Sequence, residues 1–278
     1  MDDELDTHAD QPPALGVSAR FWPKVLAPIA IGLIAVAGWE VFCKAEEIPW
    51  YILPAPSDIA KSMVTDWHIL YPALVNTLRV TFLALAVAVL GGVTLAVLFA
   101  SSRWVELSFF PYAVILQVTP IVAIAPLIII YVPNLTVALL ICAWIVAFFP
   151  ILSNTTIGLN SADHNLLNLM QLYGASRLQV LWHLRLPTAL PYFLGGLRIS
   201  GGLALIGAIV AEFVAGSAGE GSGLAFKILE AGYRLEIPRM FAALVLISAS
   251  GIVIFLVFTL ITHLALRSWH ESAMKREN

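Results

Sequence analysis

Charge is scarce in this sequence: 12% of its 278 residues are Asp, Glu, Lys or Arg, against roughly a quarter in an ordinary soluble domain. Residues 80–100, 108–132, 135–159 and 240–262 contain no charged residue at all. Each run exceeds the roughly 18 apolar residues that make a membrane-spanning helix the default reading. Four such runs exclude a soluble globular domain. Cysteine is nearly absent too. Cys43 and Cys142 sit in or at the end of apolar stretches, which excludes a disulfide framework and a cysteine metal site, and no resident cofactor is implied. No basic patch argues for nucleic acid, and a net charge of −3 says little about partners.

What is present is a set of spans. Residues 25–43 are apolar apart from Glu40, and 191–211 apart from Arg198, bringing the total to about six. The segment before residue 25 opens Met1-Asp2-Asp3-Glu4. It is acidic where a secretory signal would be basic, so 25–43 reads as a retained helix. Six spans put both termini on one side. That side carries Arg20, Lys24, Arg103, Arg177, Arg185, Arg267, Lys275 and Arg276, against Lys44, Lys61, Arg79, Lys227, Arg234 and Arg239 opposite. The small excess favours termini inside.

Tyr131-Val132-Pro133-Asn134 makes a tight turn between the third and fourth spans, whereas 44–79, 160–190 and 212–239 are long. The 160–190 segment is the most informative. Asp163 can cap a short helix with apolar positions Leu166, Leu169, Met170 and Tyr173, and Gly174 can end it. Ser176-Arg177-Leu178-Gln179 reads as a capping box opening a second short helix through Val180, Leu181, Trp182 and Leu184. Leu186-Pro187 is expected to stop it, and Pro191 to begin the fifth span. The expectation is an elbow of two short amphipathic helices. Its polar face is Asn, Gln and His rather than strongly basic, which favours partner docking over lying in the lipid interface.

Within this elbow, Gly174 is followed after nine residues by Leu184-Arg185-Leu186-Pro187. That spacing resembles the cytoplasmic signature of the permeases of binding-protein-dependent ABC importers of type I: Glu-Ala-Ala, three residues, Gly, nine residues, then Ile-x-Leu-Pro. Asn168-Leu169-Met170 stand where the family has Glu-Ala-Ala. Gly174-Ala175-Ser176, 186–191, Gly196-Leu197-Arg198, Ala211-Glu212 and Gly221-Ser222-Gly223-Leu224 are similar to the family's run from elbow through the fifth span and beyond. Leu53-Pro54-Ala55-Pro56-Ser57 and Phe149-Pro150 with Asn154-Thr155 and Gly158-Leu159 resemble the branch handling nitrate, sulfonates, taurine and thiamine-pyrimidine precursors.

The resemblance implies an all-α permease fold of about six spans in the bacterial inner membrane. It implies a cytoplasmic segment at 1–24, a first span at 25–43, an extracytoplasmic segment at 44–79, a permease core at 80–266 with the coupling elbow at 160–190, and a cytoplasmic tail at 267–278. Two copies would pair with two ABC ATPases, which hold the ATP, while an extracytoplasmic binding protein delivers a small solute. Gly174, Ala175, Ser176, Leu184, Leu186 and Pro187 would meet the ATPase. The sequence itself has no G-x-x-x-x-G-K-[ST] phosphate loop, and Gly219-Glu220-Gly221-Ser222-Gly223 reads as a flexible turn.

Proline and polar residues inside spans complete the reading. Pro120 and Pro126 are expected to interrupt the third span, and Pro150 the fourth. Gln117, Thr119, Ser153 and Asn154 lie within helical reach of them, where they either line a pathway or bond neighbouring helices. Ala84, Ala88, Gly92, Ala96 and Ala100, and Gly207, Ala211 and Ala215, form small-residue stripes, with packing inside the subunit favoured over packing between copies. Glu40, Arg198, Glu212 and His263 fall near predicted span ends, so snorkelling or an ion pair is expected of each. An intramembrane hydrolase would need a base beside Ser153 or Ser200, and neither span has a histidine. A secondary transporter would usually show an internal repeat and a mid-membrane acid, and neither is visible.

Overall fold

A computed structural model describes residues 21–216 and 222–267. All regular elements among them are helices: α1 (Phe21–Ala45), α2 (Pro56–Thr65), α3 (Trp67–Ser101), α4 (Arg103–Val118), α5 (Ile121–Tyr131), α6 (Leu135–Asn160), α7 (His164–Leu172), α8 (Arg177–Val180) leading into a π-helical turn (Leu181–Arg185), α9 (Leu186–Ala215), α10 (Leu224–Tyr233) and α11 (Ile237–Leu266). Five stretches are long and apolar enough to cross a membrane, and α4 with α5 makes a sixth, broken one. The N-terminal segment before α1, the tail after Arg267 and Gly219–Gly221 of the expected flexible turn lie outside the described residues.

The chain divides after Asp58 into two compact units. In the first, α1 leaves Ile31, Leu33 and Ile34 exposed, as a helix in lipid does. Glu40 forms the ion pair expected of it, with Lys44 at 2.6 Å. The same carboxylate accepts the Ser57 backbone N–H at 2.9 Å and its hydroxyl at 2.8 Å.

In the second unit α6 is the central helix, gripped by α3 and α9. Glycine makes the grip possible. A Cβ added at Gly207 would lie 2.8 Å from the Ala143 Cα, one at Gly196 would lie 2.7 Å from the Pro150 carbonyl oxygen, and one at Gly92 would lie 2.8 Å from Ile151. These helices therefore pack backbone against backbone, the closeness that helix association in lipid relies on. Ser200 adds a hydrogen bond across the seam, donating to the Ala147 carbonyl at 2.7 Å. Ala84, Ala88, Gly92 and Ala96 are buried on α3, as are Gly207 and Ala211 on α9. Both small-residue stripes thus face inward within this chain.

Four expectations need correction. Helix α3 starts at Trp67, thirteen residues before the charge-free run, because the buried series Leu70, Ala73, Thr77, Val80, Ala84 continues without a gap through the polar stretch. Tertiary contact, not hydropathy, sets that helix start. Second, only Pro120 breaks its span. Helix α4 ends when the Thr119 N–H bonds the Ile115 carbonyl, Thr119 adopts the extended geometry that a following proline favours, and α5 leaves at 100°. Pro126 and Pro150 sit inside continuous helices.

Third, Leu186-Pro187 does not stop the second elbow helix, nor does Pro191 begin a new one. The chain is helical from Arg177 to Ala215. The π-helical turn absorbs one extra residue, with the Leu186 N–H bonding the Leu181 carbonyl, so Pro187 enters where its missing donor costs little. Thr188 donates to the Leu184 carbonyl at 2.8 Å. Fourth, Glu212 and Arg198 do not sit as expected: Glu212 is buried without a cationic partner among the described residues, and the lengthened helix places Arg198 far from either end.

Candidate functional site

The elbow begins as the caps foretold. Asp163 accepts the Asn165 N–H at 2.7 Å, and Ser176 and Gln179 exchange bonds in a complete capping box. Gly174, at φ +69°, turns the chain between α7 and α8; this left-handed geometry is strained for any residue with a Cβ. Gly174 and Ser176 are exposed and Ala175 half-buried, whereas Leu184, Leu186 and Pro187 are half-buried. Leu186 leans on the core cluster around Leu159 and Ala189. The six elbow residues therefore divide into an outer corner and an inner root. The exposed apolar side chains are others: Leu166, Leu169, Leu172, Tyr173, Leu178 and Trp182, with Leu172 86% exposed. Sequence spacing places four of these, Leu166, Leu169, Tyr173 and Trp182, at apolar positions of the two short helices.

Arg185 ties this elbow to the bundle. Its guanidinium donates to the Ala100 carbonyl at 2.8 Å, placing a cation on the last turn of α3, where unpaired carbonyls concentrate negative charge. A cavity of about 400 Å³ lies alongside, between Ala100, Leu167, Gln171, Ala175 and Arg177.

The four polar pathway candidates are not gathered at one point. Gln117 and Thr119 share a cavity of about 350 Å³ at the α4–α5 break, walled by Val146, Pro150 and Leu203. Ser153 lines a second one of about 490 Å³ with Glu106, Phe110, Thr156 and Asn160. Asn154 lines neither; its amide donates to the Pro150 carbonyl at 2.9 Å, and its Cβ lies against Gly196. On α6 the positions Val146, Pro150, Ser153, Ile157 and Asn160 recur at three- and four-residue spacing, so one helix face serves both cavities. Glu106, Phe110 and Gln117 do the same on α4. The two cavities therefore open along the same faces of α4 and α6.

At the other end of the bundle lies a network that sequence reasoning missed. Glu212, 3% exposed, accepts the Thr77 hydroxyl at 2.8 Å and the Ala225 N–H at 3.1 Å. Thr77 in turn accepts the Leu224 N–H at 2.9 Å. Helix α10 thus has its first free N–H groups capped by side chains from α9 and α3. Gly223 packs directly on the Glu212 carboxylate. The available signal was a lone acid closing an apolar run just before glycines. Nearby, Arg239 at the start of α11 donates to Asp66 at 2.8 Å, and this guanidinium holds the Asp66 carboxyl below its usual range. On α10, Glu230 pairs with Lys227 and Arg234, and the Lys227 ammonium foremost lowers its carboxyl. Among the described residues no cluster of His, Cys, Asp or Glu could hold a metal ion.

Residues 88–269 match the family described as binding-protein-dependent transport system inner membrane component. The riboflavin transport system permease protein of Chloroflexus aurantiacus is 33% identical over 90% of this chain and 92% of its own length. The formylaminopyrimidine transport permease protein of Halalkalibacterium halodurans is 29% identical over 84% and 91%. The taurine transport system permease protein of Escherichia coli is 28% identical over 79% and 82%. A crystal structure of an amino acid ABC transporter with histidines shares the fold, with a TM-score of 0.60 and 21% identity over 74% of this chain and 96% of that one. These relatives are named as permeases of transport systems, not as enzymes. The chain accordingly belongs to the inner membrane components of binding-protein-dependent transport systems, as a multi-pass ABC importer permease for a small solute with the type I fold.

Proposed function

We infer that this chain forms the translocation pathway of an ATP-driven importer and is driven through its 160–190 elbow by a separate ATPase subunit, which holds the ATP. A second copy completes the pathway in the membrane, and an extracytoplasmic binding protein delivers the solute. That solute is a sulfonate- or nitrate-like anion or a thiamine-pyrimidine-like precursor, in keeping with the relatives named for taurine and formylaminopyrimidine. Gln117, Thr119 and Ser153, in the cavities along α4 and α6, line part of that pathway. Asn154 serves packing.

One observation carries the reading. The elbow presents Leu169, Leu172, Tyr173, Leu178 and Trp182 to the outside, the last two on a helix joined without interruption to α9. An exposed apolar patch of this kind marks a protein contact, and a rigid root lets force applied there reach the bundle. The test replaces Leu172 and Trp182 with Asp in the assembled importer. Membrane insertion should be unchanged, ATPase copurification should fall at least about tenfold, the equivalent of 1.4 kcal/mol, and ATP-dependent uptake should be lost. Gly174→Val, which strains the corner itself, should uncouple in the same way. Normal copurification and uptake in the well-inserted double variant would rule the docking role out.

A further inference from the structure

Arg198 holds a position that the reading above does not use. Two ties fix its depth. Arg185 on the entry to α9 meets the carbonyl of Ala100 at one end of α3, and Glu212 near the end of α9 meets Thr77 toward the other end of α3. Arg198 lies thirteen residues after the first tie and fourteen before the second. At 1.5 Å per residue it is about 20 Å from each, midway through a hydrocarbon layer about 30 Å thick. No side chain spans that distance to reach an interface. The guanidinium is exposed, no carboxylate among the described residues forms an ion pair with it, and its recorded contact is the face of the Phe255 ring at 5.6 Å. Bare lipid would make this the most costly placement available to an arginine.

The surroundings leave room beside it. Gly195 and Gly202, one turn to either side, meet nothing within 4 Å where a Cβ would stand. Leu203, a wall of the cavity that holds Gln117 and Thr119, lies about 140° around α9 from Arg198, so that cavity opens on another face of the helix. A fixed cation with open space on both sides is what an anion needs once it has left water.

We propose that Arg198 is an anion-binding residue at the midpoint of the translocation pathway, meeting the oxyanion group of the solute as it crosses. This rests on the importer reading, choosing the anionic member of its two solute classes, and it requires the exposed side of α9 to face the aqueous route rather than lipid or the second copy.

The test uses the assembled importer in membrane vesicles, with Cys43→Ser, Cys142→Ala and Gly202→Cys in this chain. Two thiol reagents of similar size, one bearing a sulfonate and one a trimethylammonium group, report access and charge preference at position 202. Both should react, the sulfonate faster. Arg198→Gln should lower the sulfonate-to-ammonium rate ratio at least about fivefold, and Arg198→Lys should restore it. With Arg198 intact, added sulfate should slow the sulfonate reagent selectively, a measurement that stands even if Arg198→Gln fails to insert. No labelling by either reagent means that lipid or the partner copy covers this face, and overturns the proposal. So does a ratio indifferent to both Arg198→Gln and sulfate. ATPase copurification reports separately on the importer reading.

Discussion

Glu212 shows how one side chain can organise the end of a bundle. Its carboxylate receives a hydroxyl from α3 and an N–H from α10, so removing it orphans donors on two elements at once. Glu212→Ala should cost about 1–3 kcal/mol, the usual penalty for stranding buried polar groups, read as a lowered thermal midpoint in detergent. Gly223→Ala would force the carboxylate aside and should cost a similar amount. In the double variant the two penalties should fall well short of their sum, because the crowded group is gone; full additivity would show that they do not act through one contact. Asp66 offers a pH test at the same scale. Its carboxyl is depressed by Arg239, so the stability it contributes is complete above the ordinary carboxylate range and is lost as pH falls through the depressed value. The stability gap between the native chain and Arg239→Gln should be flat from neutral pH to about 5 and should close below about 4.

At the scale of elements, the helices that sequence located best were those whose burial and hydropathy agree. The uncharged runs at 135–159 and 240–262 lie inside α6 (Leu135–Asn160) and α11 (Ile237–Leu266), and the helix ends marked by Asp163, Gly174 and Ser176 fall where their capping chemistry put them. The misses share one cause. Helix α3 outruns its apolar stretch, and α9 runs through two prolines, because contacts from distant parts of the chain decide both. Arg198 was misplaced with α9: a start at Pro191 puts it near an end, a helix from Arg177 puts it in the middle. The lining of the two cavities was half legible. Proline at position 120 marked the broken span and its cavity, but which of Ser153 and Asn154 faces a cavity depends on a rotation that only the α6–α9 packing defines.

The π-helical turn supplies a prediction at this scale. Such turns carry one residue more than an α-helix would. Deleting the exposed His183 removes the absorbed residue, so the turn should become α-helix with the outer elbow keeping its orientation relative to α9. Membrane insertion and ATP-dependent uptake should both survive. By contrast, Gly207→Leu, which pushes a side chain into the Ala143 backbone, should reduce the folded yield itself, seen as aggregation in size-exclusion chromatography.

For the whole molecule, orientation can be checked directly. If the elbow faces the cytoplasm, a cysteine in place of Tyr173 should react with an impermeant thiol reagent only from the inner side, and one in place of Arg234 only from the outer side. The reverse pattern would invert the topology and remove the docking surface from reach of any cytoplasmic ATPase.

The helical stretch from Arg177 to Ala215 has 39 residues and is about 58 Å long at 1.5 Å per residue. Pinned to α3 near both ends, it behaves as a lever arm rather than a string of joints. A tilt of about 5° about its inner end would swing the outer end by about 5 Å, roughly a helix radius. Helix α10 hangs from that outer end by Glu212, so if an ATPase drives the elbow, a slight push there would arrive at the opposite end of the bundle as a displacement large enough to open or close a path for a small solute.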